Sequence, residues 1–167
     1  VAINTAAVKT PAFISDAANK FGSSTIVVSI EAIRQPDGKY LAYTDNGREY
    51  TGKNVMDWAL EAQSLGAGEI LLTSVDREGT GKGYDVELTK MVSSALSIPV
   101  IASGGAGSSA DVLEVINSGI ADAVAIASLL HYDYIKNNVS LSSGEGNIEF
   151  LKSGKIFSMI KPASIFE

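Results

Sequence analysis

The sequence predicts an α/β fold built on a parallel sheet. Three observations carry that expectation. Short, nearly continuous apolar runs recur along the chain, the pattern of parallel strands covered on both faces. Amphipathic segments of helical spacing separate them. The runs end in small, charged and glycine residues, at the place where such folds gather their chemistry.

The runs are "VAINT" (1–5), "STIVVSIEA" (24–32), "EILLTSV" (69–75), "IPVIAS" (98–103) and "DAVAIAS" (122–128). A first helix is expected with Thr10 as N-cap and Pro11 at its first position, burying Phe13, Ile14, Ala17, Ala18 and Phe21 and stopping at Gly22. A second carries Val55, Ala59, Ala62 and Leu65 on one face and ends at Gly66. A third begins near Asp85 and buries Leu88, Met91, Val92 and Ala95. A fourth follows Ser108, with Asp111 completing a capping box; it buries Val112, Leu113 and Ile116 before Gly119.

The segment 38–52 breaks the rhythm. Its alternating residues flank Asn46-Gly47, a strong hairpin signal, so it reads as a ribbon inserted between a strand and the next helix. Past His131 the pattern weakens; "VSLSSGEGN" (139–147) reads as a loop, and the tail 139–167 carries no clear assignment. The order is β-α-β-(hairpin)-α-β-α-β-α-β-α, one partial domain over 1–167. It is compatible with a doubly wound sheet or with about five units of a (β/α)₈ barrel, a fold that takes about 250 residues. Val1 enters as if in mid-strand, which suggests a fragment.

Bulk composition narrows the function classes. Hydrophobic residues at 46% and charged residues at 19% argue against disorder. The net charge of −6 provides no basic footprint for nucleic acid or an anionic membrane. An anionic ligand would therefore be held by local devices such as backbone N–H groups. The absence of cysteine excludes disulfides and thiolate metal sites, and the single histidine, His131, excludes a site built on several imidazoles. No cofactor or metal is expected. No apolar run suits a membrane span and no signal peptide is visible, so a cytoplasmic location is expected.

The expected strand ends hold Asn4 and Thr5; Glu31; Thr73, Ser74, Asp76 and Glu78; Ser103, Gly104 and Gly105; and Ala127 and Ser128. In "ASGGAGSSAD" (102–111) the glycines fall between a strand and a helix N-terminus. Free N–H groups there bind phosphate, whereas the bland reading is a tight turn needing positive φ. Ala127-Ser128 adds a second small-residue strand end, and paired sites of this kind form the usual barrel phosphate pocket. Glu31 closes an apolar strand and is either a general acid–base group or an exposed strand-end charge. Arg34 and Arg77 either clamp phosphate or are solvated. His131 reads as a surface or capping group.

Three stretches, "INTAAV" (3–8), "GAGEILLTSVDREGTGKGYD" (66–85) and "IPVIASGGAG" (98–107), together resemble the HisF family, the cyclase subunits of imidazole glycerol phosphate synthase. The sister isomerases of histidine synthesis share the Asp-Arg-x-Gly-Thr stretch, but "INTAAV" and "LLTS" favour the cyclase. The resemblance reaches about Tyr132 and implies an incomplete TIM-type barrel. It implies a cyclase that takes ammonia from a glutaminase partner of the HisH type. With that ammonia the family converts a bisphosphorylated ribulosyl-formimino aminoimidazole carboxamide ribonucleotide to imidazole glycerol phosphate. Carried over by position, Glu31 is the catalytic carboxylate. Asn4 and Thr5 lie at the site's rim, with Thr5 helping one phosphate; Thr73 and Gly104 line the same end. Glu78, Gly79, Gly105, Ala127 and Ser128 hold the other phosphate. Glu69 matches a charged residue of the ammonia gate.

The sequence departs from that pattern. Glu31 and Glu78 stand where the family has aspartates, and Ile33 where it has a lysine. An added methylene moves a carboxylate by about an ångström, enough to cost on the order of 100-fold in rate. The family's first three strands, with its other catalytic aspartate, have no counterpart here. The expectations are therefore a cyclase-family chain that is inactive as it stands, or a noncatalytic phosphate-binding fragment that self-associates over its open edges. A third is a HisF-like ammonia-using enzyme of surface-sugar synthesis.

Overall fold

The computed structural model describes residues 1–137, so the expected loop 139–147 and the tail to 167 lie outside the described residues. The chain begins with β1 (Ala2–Ile3), α1 (Thr5–Lys9), α2 (Ala12–Phe21) and a 3₁₀ turn at Ser23–Thr25. The ribbon region follows as β2 (Val27–Arg34), β3 (Tyr40–Thr44), β4 (Glu49–Asn54) and α3 (Val55–Ser64). The rest alternates regularly through β5 (Glu69–Ser74), α4 (Val86–Ser93), β6 (Val100–Ser103), α5 (Ser109–Asn117), β7 (Ala123–Ala125) and α6 (Ser128–Asn137).

All strands join one sheet, whose parallel part runs β1-β2-β5-β6-β7. One edge of β2 serves two neighbours. Its start pairs with β1 at Val27 and Val28, and its end pairs antiparallel with β3 from Glu31 to Arg34. The ribbon β3-β4 thus extends the sheet at the carboxyl end of β2. Among the described residues the sheet does not close, and β1 and β7 are open edges. This is an incomplete (β/α) barrel.

Side-chain alternation sets the two faces apart. Val28, Ile30, Ala32, Ile70, Leu72 and Val100 are buried under the helices, against Ile14, Trp58, Ala59, Ala62, Leu88 and Val92, while Ala102 is buried in a second cluster with Tyr84, Val115 and Ala121. The opposite face, with Ser29, Glu31, Leu71, Thr73, Ile101 and Ser103, is only half-buried. The strands are therefore not covered on both faces as expected; their apolar residues on the second face lie open because the sheet is not curled shut.

Local signals explain most boundaries. The Asn54 side chain caps α3 by accepting from the amides of Met56 at 2.8 Å and Asp57 at 3.4 Å. Asp85 caps α4 through the Leu88 amide at 3.0 Å, and Ser108 caps α5 through the Asp111 amide at 3.4 Å. The hairpin turns at Asp45, Asn46 and Gly47, all with positive φ.

Four expectations need correction. Thr10 is not an N-cap: Thr5–Lys9 already forms a helical turn that Thr10 closes, and α2 starts without a side-chain cap. The second strand begins at Val27, since the Ser-Ser-Thr before it winds into a turn, and it runs on to Arg34. In α5, Leu113 and Ile116 are 61% and 41% exposed, and the buried residue is Val115. This helix lies under the last strand of an open sheet, so half of its apolar stripe has no neighbour among the described residues. Phe13, Phe21 and Ala95 are exposed as well.

Candidate functional site

The strand register gathers the carboxyl-end residues into one row. Glu31 pairs with Thr73, Thr73 with Ser103, and Ser103 with Ala125, all on the open face. On the other side Glu31 stands opposite Tyr43 of the ribbon, which pairs with Tyr50. Glu69 occupies the same face at the opposite, amino end of β5, beside Val27. The face therefore runs from a carboxylate at its bottom to a carboxylate at its top, with Leu71 between them.

A cavity of about 120 Å³ opens beside the row, where the loops after β5, β6 and β7 converge. It is lined by Glu78 and Gly79, by Ser103 to Ala106, and by Ala125 to Leu129. The structure thus brings together Glu78, Gly79, Gly104, Gly105, Ala127 and Ser128, which the sequence had placed in one site.

The tight-turn reading holds for both glycines. Gly104 has φ +92°, and a Cβ there would lie 2.6 Å from the Ser74 carbonyl oxygen. Gly105 has φ +104°, and its Cβ would collide with the Gly83 carbonyl. The loops after β5 and β6 pack backbone to backbone at this point, tied by the Gly83 N–H donating to the Gly105 carbonyl at 2.8 Å. The tight turn is what exposes the amides. Among the described residues, the N–H groups of Gly104, Gly105 and Ala127 donate to no backbone carbonyl. The helix α6 starts at Ser128, and the first amides of a helix have no partner within it. Such a cluster at a helix start favours an anion. Glu78 is exposed, and its own N–H is used on the Ser74 carbonyl at 3.0 Å, so it offers the cavity an acceptor.

Glu31 is half-buried and held. Its Oε2 accepts from the Gly47 N–H at 2.8 Å, so the hairpin tip folds back over the strand end. The sequence signalled the turn at Asn46-Gly47 but not where its tip would land. Asn4 and Thr5 lie at the end of β1, across β2 and β5 from the cavity, and are not brought to it. The Asn4 Oδ1 is buried without a hydrogen-bond partner among the described residues.

Arg34 and Arg77 go elsewhere. They line a wider cleft of about 410 Å³ together with Asp76, Lys82, Tyr84, Asp85, Glu87 and Glu114. Arg34 pairs with Glu87 at 3.2 Å and lies over the Tyr40 ring, while its N–H donates to Asp76 at 2.8 Å. Arg77 reaches the Lys82 carbonyl at 3.4 Å. Asp76 is accordingly part of the loop's framework. His131 is an exposed residue of α6 whose ring rests against Tyr132.

Two tyrosines brace the site from below. Burial pushes the Tyr40 hydroxyl up to about 12, aided by the Asp85 carboxylate, to which it donates at 3.1 Å. Burial likewise pushes Tyr84 up to about 12, with Asp111 adding to the effect; its hydroxyl donates to the Ala125 carbonyl at 3.2 Å and fixes the end of β7 at the cavity. The charged and polar pattern had not pointed to either residue. Among the described residues no group of three or more His, Asp or Glu is arranged to hold a metal ion. No helix among them is long and apolar enough to cross a membrane.

Comparison with known proteins adds an independent line. A family described as "histidine biosynthesis protein" matches residues 1–136. The imidazole glycerol phosphate synthase subunit HisF of Alkaliphilus metalliredigens is 52% identical over 135 residues, which are 81% of this chain and 54% of that protein. The subunit of the same name from Legionella pneumophila is 63% identical over 107 residues, 64% of this chain and 50% of that one. That of Lachnoclostridium phytofermentans is 51% identical over 139 residues, 83% of this chain and 54% of that one. The chain spans about half the length of the curated relatives it matches.

Proposed function

The chain belongs to the histidine biosynthesis protein family, and from that premise we propose that it is the phosphate-binding portion of an imidazole glycerol phosphate synthase cyclase. The observation that carries this reading is the 120 Å³ cavity with its unpaired loop amides. The relatives' name supplies the product, imidazole glycerol phosphate, and the family resemblance supplies the substrate. A bisphosphorylated ribulosyl-formimino aminoimidazole carboxamide ribonucleotide lies across the mouth of the barrel, with one phosphate on Gly79, Gly105, Ala127 and Ser128. The other phosphate lies toward Thr5, with Asn4 beside it. Thr73 and Gly104 border the reacting centre in the row that carries Glu31.

Chemistry at that centre needs a group that moves protons. As ammonia bonds through its nitrogen to the ribulosyl carbonyl carbon, the C=O π pair moves onto the oxygen and the nitrogen sheds a proton; a carboxylate at hydrogen-bond reach takes that proton and can return it to the oxygen. Glu31 fills that role with Oε1, while Oε2 stays on the Gly47 amide. The exposed Glu78 carboxylate would repel a phosphate directly, so it suits a substrate hydroxyl beside the phosphate. Ammonia comes from a glutaminase partner at the amino end of the strands, past Glu69. The resemblance places the second catalytic carboxylate outside these residues, so the 167-residue chain is expected to bind phosphate compounds without turning over at family rates.

Calorimetric titration with ribose 5-phosphate tests the reading. Wild type should bind it, and Ala127→Asp, which sets a carboxylate at the exposed rim of the cavity, should abolish binding while leaving the thermal midpoint in place. Equal binding by both proteins sinks the assignment of the cavity.

A further inference from the structure

We propose that Tyr43 and Tyr50 form a stacking platform for the planar heteroaromatic ring of the ligand whose phosphate the small cavity takes. The proposal rests on the phosphate reading of that cavity. Alternation along β3 sends Tyr40, Ala42 and Thr44 into the core and leaves Leu41 and Tyr43 on the open face. Tyr43 stands directly opposite Glu31 and Tyr50 directly opposite Tyr43, so the rings continue the row that holds Thr73, Ser103 and Ala125. Their centroids are 5.7 Å apart, with the planes tilted by 54°.

The fold does not use these rings as it uses its other tyrosines. Tyr40 and Tyr84 are buried and their hydroxyls are bonded to Asp85 and Ala125. Tyr50 is 61% exposed, and among the described residues the hydroxyls of Tyr43 and Tyr50 make no hydrogen bond. Yet the ribbon that carries them is firmly placed. Its tip is tied to Glu31 by the Gly47 amide, and Thr51 donates its hydroxyl to the Ala42 carbonyl. The β3–β4 register shifts between Leu41 and Tyr43, with Gly52 at φ +76° opposite them. Such bulges re-aim side chains beside active sites.

An aromatic pair fixed in this way, Tyr43 half-buried and Tyr50 exposed, offers a π-face, and a planar heterocycle is the group that gains from it. Neighbouring strands lie about 4.8 Å apart, so Tyr43 and Ala125 are separated by roughly 20 Å along the sheet, with Glu31 one strand from Tyr43 and two from Tyr50. An extended ligand with a phosphate at one end and a ring along its length would place the atoms between them over the carboxylate.

The test uses the 167-residue chain with three probes in titration calorimetry: ribose 5-phosphate, the bisphosphorylated ribulosyl-formimino aminoimidazole carboxamide ribonucleotide, whose length suits the roughly 20 Å between cavity and rings, and aminoimidazole carboxamide nucleoside without phosphate. The nucleotide should bind more tightly than ribose 5-phosphate. In a Tyr43→Leu, Tyr50→Leu double variant its affinity should fall by about tenfold, the loss expected for one stacked ring, while ribose 5-phosphate binding holds. A double Phe variant should keep the nucleotide affinity. Unchanged nucleotide affinity in the leucine variant overturns the proposal, as does a wild type for which the ring adds nothing. If ribose 5-phosphate fails to bind but the nucleoside binds and is lost in the leucine variant, the platform stands and the phosphate reading falls. Should the leucine variant misfold, nuclear Overhauser contacts between the tyrosine rings and the imidazole proton of nucleotide bound to wild type decide the matter; their absence at saturation overturns the platform.

Discussion

Tyr40 links three elements through one hydroxyl. It projects from β3 onto Asp85, which caps α4 and also accepts from Ser74 at the end of β5. Burial and the Asp85 charge both oppose its ionisation and raise it to about 12, as burial does for Tyr84. An unfolded tyrosine releases its proton near pH 10. Between about 10 and 12 the native chain therefore holds protons that the unfolded chain has lost, and stability falls as pH rises through that window. Below it the contribution is complete. Denaturant unfolding across pH 9 to 12 should show this fall, flattened in a Tyr40→Phe, Tyr84→Phe variant; an identical alkaline fall in both proteins refutes the assignment. At this scale much of the cavity was legible in sequence, because Gly104, Gly105, Ala127 and Ser128 sit at fixed offsets from strand ends. Tyr40 and Tyr84 were not legible: their partners lie 45 and 41 residues away, beyond any local pattern.

The helix starts at Asp85 and Ser108 were legible, since a cap is a contact between residues two or three apart, whereas Thr10 was misread as a cap and the Asn54 cap went unread. Asn54 tests this directly. Its side chain is the cap of α3, the helix that carries Trp58 into the core. Asn54→Ala should lower stability by about 1 kcal/mol, seen as a shifted urea midpoint with an unchanged slope. A midpoint equal to wild type would mean that the cap contributes nothing. What could not be read was how elements meet. The five-residue α1 is too short to show a period, and its first residue, Thr5, was read as the end of the strand "VAINT". The hairpin was visible through Asn46-Gly47, yet its docking on Glu31 depends on the fold-back of the whole ribbon. In α5 the spacing identified a stripe but not which side of it would find a neighbour, so Leu113 and Ile116 were assigned to a core that Val115 enters, with Val112 packed partly buried against it.

The whole molecule presents apolar surface at both ends of its sheet. Phe13 and Phe21 of α2 are 44% and 62% exposed near the β1 edge, and Leu113, Ile116 and Ile120 are between 41% and 61% exposed at the β7 side. Between them runs the open sheet face with Leu71 and Ile101, and the edge strands β1 and β7 offer unpaired backbone groups. Surfaces of this kind are covered by further chain or by other molecules, because exposed edges and apolar patches invite association. In a complete barrel they would be covered by neighbouring units. For the 167-residue chain alone, a second copy is the available cover, since its edges and apolar ends are the same groups. Sedimentation equilibrium over rising concentration should therefore reveal self-association, and replacing Leu113 and Ile116 together by Lys should weaken it. A compact monomer at every concentration would mean that residues beyond 137 or a tighter curl of the sheet cover these groups instead, and the argument from open edges would fall.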